Sequence, residues 1–330
     1  MRSWRVWLGF GISVVFLYFA VRGQDFGRIG DALRGASYIW LVPALVAYFV
    51  GVGVRSVRWH YLLRTVQDIP PRRIFPVVTI GFMANNVLPF RAGEVVRAYA
   101  LSARYQVRKS AALATIAIER IFDGLTMLLF MLAASLSIAL TSDLRWVAFS
   151  ASVLFPLLAL MLGLFVFAPS LRDWAIDLSV RLLPGRVGAR VQEMAHSFFE
   201  GLGILKRRQD LALVALTSLL AWLLEASMYL LIAQGFDLDV APLAILMVTA
   251  VANLATLIPS SPGYVGPFET GVLLVLNGAL GIERELALSY AIVVHATLYF
   301  PVTILGLVFW WRESLSWRDV RRTDGVMRDA

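Results

Sequence analysis

The chain is written mostly in long apolar runs broken by short polar clusters. Val6–Val21, Ile39–Val57, Ala111–Leu140, Trp146–Ala168, Leu211–Ala233 and Leu286–Trp311 each approach or exceed the ~17–25 residues of helix that cross a bilayer. Two further apolar segments are interrupted. Ile74–Leu88 stops at Pro89, and the return segment Glu94–Tyr105 carries Glu94, Arg97 and Arg104. Leu243–Ile258 breaks at Pro259-Ser-Ser-Pro262-Gly263 before Val265–Leu280. A 15-residue helix is only about 22 Å long against a hydrocarbon core of about 30 Å. Both interrupted segments therefore read as re-entrant hairpins, a form tolerated at membrane depth only where it is buried in protein or lines a cavity.

Composition agrees with that pattern. The chain is 59% hydrophobic and 16% charged, with a mean hydropathy of +0.74. A soluble domain has roughly 45–50% and about 25%. The longest polar stretch, 172–210, is too short for a core of its own. Within it Val187, Val191, Met194, Phe198 and Leu202 recur at helical spacing, which predicts an amphipathic helix lying on the membrane surface. The segment 22–34, with Arg22, Asp25, Arg28, Asp31 and Arg34, reads as a loop. The expected fold class is an all-α polytopic membrane protein, a single transmembrane domain over 1–330.

Charge sets the orientation. The net charge is +8, and Lys109 and Lys206 are the only lysines among 30 basic residues. With the N-terminus in the cytosol, Arg2, Arg5, five arginines at 55–73, Arg104, Arg108, Lys109, seven basic residues at 172–208 and five in the tail fall inside. Arg22, Arg28, Arg34, Arg145 and Arg284 fall outside. This bias predicts a cell-membrane protein with both termini cytosolic, six spanning helices and two hairpins. The positive charge is spread over short loops, so anionic lipid headgroups fit it better than nucleic acid. Cysteine is absent, which excludes disulfides and thiolate chemistry. His60, His196 and His295 are too scattered for a metal site, and no cofactor is expected.

In this topology the second half, about 211–311, is the first half, about 39–140, turned over. Asn85, Pro89, Gly93 and Glu94 answer Asn253, Pro259, Gly263 and Glu269. Paired interrupted segments in inverted halves point to a midplane transport site, and free N–H groups at the breaks suit an anion. The same prolines and glycines are also what close helix packing needs. Candidate substrate-binding residues are Asn85, Asn86, Arg91, Glu94, Arg97, Glu119, Arg120, Asp123, Asn253, Pro259, Gly263, Glu269 and His295. Charged groups at membrane depth need protein, water or a ligand as partners. Arg97 with Glu119 and Glu94 with Arg120 are candidate ion pairs, and a cargo role is equally compatible with them. Glu225 reads as a buried partner or cavity residue.

The stretches Asn85-Asn86-Val-Leu-Pro89-x3-Gly93-Glu94-x2-Arg97, Glu119-Arg120-x2-Asp123 and Pro259-x2-Pro262-Gly263-x2-Gly266-x2-Glu269 resemble the flippase-like transmembrane region of lysylphosphatidylglycerol synthases and its stand-alone relatives. The likeness covers nearly the whole chain. It implies an integral membrane protein that moves, or helps to move, a lipid or lipid-linked molecule between leaflets. The aminoacyl-transferase domain of the full synthases has no counterpart here, so lipid lysinylation is not expected. His295 stands where the family pattern leads one to expect arginine. On this reading Arg91, Arg97 and Arg120 neutralise a phosphate headgroup. Glu94, Asp123 and Glu269 position them or carry a coupling proton. The alternatives are a membrane-embedded transferase acting on lipid-linked sugars or aminoacyl lipids, and an accessory subunit. Self-association is compatible with either.

Because no native cysteine competes, single cysteines at positions 108 and 284 report topology cleanly. They are expected to label from opposite sides of the membrane; labelling of both from one side would contradict the inverted arrangement.

Overall fold

The structure is a computed structural model that describes residues 3–88, 92–181 and 185–313. Among the described residues it is all-helical, with no strands. Helix α1 (Ser3–Val21) is followed by α2 (Phe26–Gly35). The α2 segment is the one expected to be a loop. Asp25 instead caps a helix, accepting from Gly27 N at 2.8 Å, and Ile29 and Leu33, one turn apart, face the core. A short 3-10 turn leads into α3 (Leu41–Leu63), which runs six residues beyond the expected end at Val57.

The first hairpin is α4 (Pro71–Val87) and α5 (Gly93–Tyr105), followed by α6 (Lys109–Ala134) and α7 (Ser142–Phe167). The polar stretch folds as α8 (Pro169–Arg181) and α9 (Gly185–Gly201). The amphipathic run falls on α9 as a helix; α8 and α9 pack on each other, and α9 packs on α6. Arg108 donates to Ser197 at 2.9 Å, and Leu202 is fully buried. The apolar stripe is thus partly spent on protein rather than on lipid. Then come α10 (Arg208–Gly235), the second hairpin of α11 (Pro242–Ala255) and α12 (Pro267–Leu276), and α13 (Arg284–Arg312). Three of the four hairpin limbs, α4, α11 and α12, start on a proline, whose fixed φ and missing N–H cost nothing in the first turn of a helix.

Among the described residues four helices are long and apolar enough to cross a membrane: α3 with its preceding turn, α7, α10 and α13. Of the six spans expected, the other two are α1 (Ser3–Val21) and α6, which carries Glu119, Arg120 and Asp123. Large apolar side chains such as Leu132, Trp146, Phe149, Leu160 and Ile304 face outward.

Helices α3 and α10 are antiparallel along their full length. Ser37 N meets the Gly235 carbonyl at one end, and Arg64 meets Asp210 at 2.8 Å at the other. Helix α4 is antiparallel to α13, from the Phe75–Phe309 ring contact to the bond from Asn86 to Thr303 Oγ1 at 2.9 Å. The pairings recur in matched sets. α4 packs on α13 and α11 on α6; α5 on α6 and α12 on α13; α2 on α13 and α9 on α6. One face of the bundle gathers the Arg64–Asp210 and Arg104–Glu313 pairs and the Tyr105–Arg73 contact. The opposite face holds Arg28 with Glu283 and Arg284 with the Phe19 carbonyl. The two hairpins come together at Asn86 and Gly263, beside Tyr299, halfway along α13.

Close approach of the hairpin limbs depends on glycine. A Cβ at Gly93 would collide with the Gly81 carbonyl and the Asn85 side chain, and one at Gly271 with Ala252. Gly93→Ala is expected to lower stability by about 1–3 kcal/mol, the cost of overpacking. Gly53→Ala, in open space within α3, is expected to raise it by roughly 0.5–1 kcal/mol. Thermal melting in detergent checks both; equal shifts would contradict the close packing of hairpin 1.

Candidate functional site

The charged residues of α3 shape the interior. Arg55 and Arg58 belong to the group at 55–73 expected in a cytosolic connection; that expectation is corrected. Because α3 continues to Leu63, both arginines lie within the helix, on the face that carries Val52, Trp59 and Leu62, and are 5% and 0% exposed. A buried guanidinium must find carboxylates, and each does. Arg58 bonds Asp123 at 2.6 Å and Ser218 at 3.1 Å, and lies 3.1 Å from Glu119. Arg55 bonds Glu225 across the α3–α10 contact at 2.7 Å and stacks over the Trp222 ring at 4.6 Å.

Hairpin 1 brings the rest. Arg97 on α5 makes a two-pronged bond to Glu119 on α6, at 2.8 and 2.9 Å, and lies 3.6 Å above the Trp59 ring. Arg120 lies within 3.1–3.2 Å of Glu94, Glu119 and Asp123. Asp123 also accepts from Trp222 Nε1 at 2.7 Å. Four guanidiniums (Arg55, Arg58, Arg97, Arg120) thus face four carboxylates (Glu94, Glu119, Asp123, Glu225), and their charges balance. Both candidate pairs named from the sequence, Arg97 with Glu119 and Glu94 with Arg120, are among them. Most of this network is sealed, but the Arg120 and Glu94 side chains are 29% and 28% exposed.

A cavity of about 130 Å³ lies beside the network where the hairpin tips meet. Of the candidate residues, Asn85, Asn86, Arg120, Asp123, Asn253 and His295 line it, joined by Arg55 and Glu225. Tyr48, Trp222, Tyr264, Phe268 and Tyr299 supply aromatic walls. Three asparagines tie its frame. Asn85 accepts from Gly93 N, closing the hairpin-1 tip, and Asn86 bonds the Tyr299 carbonyl and Thr303. Asn253 bonds Glu225 at 3.2 Å. The structure does not bring Arg97, Glu119, Glu94, Glu269, Pro259 or Gly263 to the cavity lining. Pro259 is exposed and lines a neighbouring cavity of about 230 Å³ with Leu88, Ser260 and Tyr264. Arg91 lies outside the described residues. Sequence reasoning missed Arg55, Arg58 and Trp222. The signal for the two arginines was present: Gly51, Val52, Arg55, Ser56, Arg58, Trp59 and Leu62 form one helical stripe past Val57. Among the described residues no group of three or more His, Asp or Glu side chains is placed to hold a metal ion.

The cavity can therefore bind polar or charged groups through guanidinium, carboxamide and carboxylate contacts. Comparison with known proteins is consistent across the whole chain. The family model described as lysylphosphatidylglycerol synthase TM region matches residues 6–306. A UPF0104 membrane protein of Methanothermobacter thermautotrophicus is 27% identical over 85% of this chain and 87% of its own. A second from the same organism is 27% identical over 94% of each. The glycosyltransferase AglD of Haloferax volcanii is 26% identical over 90% of this chain but only 52% of its own length. No solved structure matches. A match of this extent, over a chain of long apolar helices, makes this a membrane protein of the lysylphosphatidylglycerol synthase transmembrane-region family.

Proposed function

We propose that the protein is a flippase-like transporter that carries a lipid or lipid-linked substrate with an anionic headgroup between leaflets. The observation that carries this reading is the cavity at the meeting point of the two hairpins, with Arg55 and Arg120 in its wall. The matched pairings of α3–α6 and α10–α13, and the antiparallel α3 and α10, support an inverted repeat. On this reading the face bearing Arg64, Arg72, Arg73, Arg104, Arg108 and Lys109 is cytosolic and both termini lie inside.

Arg120 is the residue best placed to meet a headgroup. It is the most exposed of the network arginines, and it shares three carboxylates instead of owning one. A phosphate would compete with Glu94 and Asp123 for its N–H groups, since paired N–H donors fit phosphate as they fit carboxylate. With the site empty, the Arg120–Glu94 pair ties hairpin 1 to α6. With phosphate bound, Glu94 is released and hairpin 1 is free to move. Arg97 and Glu119 do not touch the cavity and act as the fixed anchor of α5 on α6. A rigid anchor beside an exchangeable pair is what alternating access requires.

The name of the AglD relative favours a second reading, in which this region serves a transferase acting on lipid-linked sugars. The two readings differ in product. Transport moves a labelled lipid across a vesicle bilayer unchanged, whereas transfer makes a new covalent species.

In neutral detergent the protein is expected to retain phosphate-bearing lipids over neutral ones. Arg120→Gln and Arg55→Gln are each expected to weaken retention about tenfold, the loss of roughly 1.4 kcal/mol from a charge-assisted bond. Arg312→Gln is expected to leave it unchanged. Native mass spectrometry reads the bound lipid. Equal retention of neutral and phosphate-bearing lipids by all four proteins would remove the anion site.

A further inference from the structure

Glu269 and His295 stand apart from the arginine network, at the second hairpin. His295 Nδ1 lies 2.5 Å from Glu269 Oε1, and His295 Nε2 lies 2.7 Å from the Gly263 carbonyl. The other Glu269 oxygen accepts from Gly266 N at 2.7 Å, capping α12. The Glu269 side chain is 7% exposed and that of His295 12%.

These contacts require hydrogens. A carbonyl oxygen only accepts, so Nε2 carries one hydrogen. An ionised carboxylate also only accepts, so the 2.5 Å contact needs a second, held on Nδ1 or on Glu269. A neutral histidine beside an ionised glutamate supplies one hydrogen in all, one too few. Charge gives the same answer. Among the described residues the four arginines are already matched by four carboxylates, and the group that faces Glu269 with a proton to share is His295.

We infer that the Glu269–His295 pair is a proton-binding site that latches the tip of the second hairpin onto α13. Without the proton, a lone pair of the ring faces either Glu269 or the Gly263 carbonyl, and one contact becomes repulsive. Glu269 cannot swing away without uncapping α12, so the contact that gives way is the one to Gly263. That carbonyl belongs to the tip itself, where Gly263 and Tyr264 both have left-handed backbone, at φ of +76° and +61°. A tyrosine in that region is strained and relaxes when the tip is let go. The tip forms the wall between the central cavity and the adjoining cavity at Ser260, because Tyr264 lines both. Releasing it joins the two. The latch is closed by protonation and opens as pH rises, whatever cargo the cavity takes.

Other groups face the same space. Tyr264 comes from the tip and Tyr299 from α13 itself, and across the cavity lie Tyr48, Arg55, Arg120, Asp123 and Glu225. Their influence is removed by an isosteric reference. In Glu269→Gln the amide N–H replaces the proton toward Nδ1, and the amide oxygen still accepts from Gly266. That variant keeps the latch closed with the His295 ring neutral. His295→Arg also keeps two donors at every pH.

The experiment is water-soluble thiol labelling of Ser260→Cys, a tip position 4% exposed, in full-length protein otherwise free of cysteine. The rate with native Glu269 and His295 is divided by the rate in the Glu269→Gln background at each pH, which cancels the thiol's own titration. That ratio is expected to rise about tenfold from about pH 5.5 to about pH 9. His295→Arg is expected to follow Glu269→Gln, and serves as the reference if that variant fails to insert. Parallel pH profiles in the native and reference backgrounds would overturn the proton latch.

Discussion

An ionised side chain in a low-dielectric interior must be matched, and that constraint organises this molecule. Desolvating a guanidinium costs several kcal/mol even after relaxation, yet α3 carries Arg55 and Arg58 into the core, α5 carries Arg97, and α6 carries Arg120. Each draws a carboxylate from a different helix. Arg55 joins α3 to α10, Arg58 joins α3 to α6, and Arg97 and Arg120 join α5 to α6. Dispersion and hydrogen bonding, not a hydrophobic force, hold helices together in lipid. Here the ion pairs fix which helices meet and in what register.

The hairpins depend on that frame. A backbone break at membrane depth leaves N–H and C=O groups that lipid cannot satisfy. Asn85 takes up the Gly93 N–H at the first break, Glu269 the Gly266 N–H at the second, and His295 the Gly263 carbonyl. Asn86 crosses from hairpin 1 to α13 and so ties the first tip to the helix that also holds the second. The cavity is what remains between two tips that are each satisfied locally. Its polar wall is thus a consequence of the breaks, and its charge a consequence of the surrounding pairs.

Much of this was legible in the sequence. Pro71–Val87 and Gly93–Tyr105 fall within a few residues of the predicted hairpin, because Pro89 and the charges of the return segment mark it unambiguously. The Arg97–Glu119 and Glu94–Arg120 pairs were readable as candidates, since charges on apolar helices have few partners. Arg55 and Arg58 were not, because arginine near the end of an apolar run looks the same whether it snorkels to the surface or turns inward. The stripe that continues through Trp59 and Leu62 was the missed clue. The helix Phe26–Gly35 was missed because its charges outweigh the two apolar positions that dock it on α13. For 172–210, periodicity shows that a face is buried, but not against what. Arg108–Ser197 and Leu202 show that part of the answer is α6 and its neighbours.

The most direct measurement of the charge-balanced interior is a double-mutant cycle across Arg97 and Glu119. Arg97→Met alone leaves three guanidiniums facing four carboxylates, and Glu119→Met alone leaves the reverse. Each is expected to cost about 3–5 kcal/mol, the penalty for stranding a buried charge. The double variant restores three against three and is expected to lose far less than the sum of the two, by at least about 2 kcal/mol of coupling. Reversible unfolding in mixed micelles reads all four proteins. Small, additive losses would show that these residues do not depend on one another, and would contradict a fold built on matched buried charge.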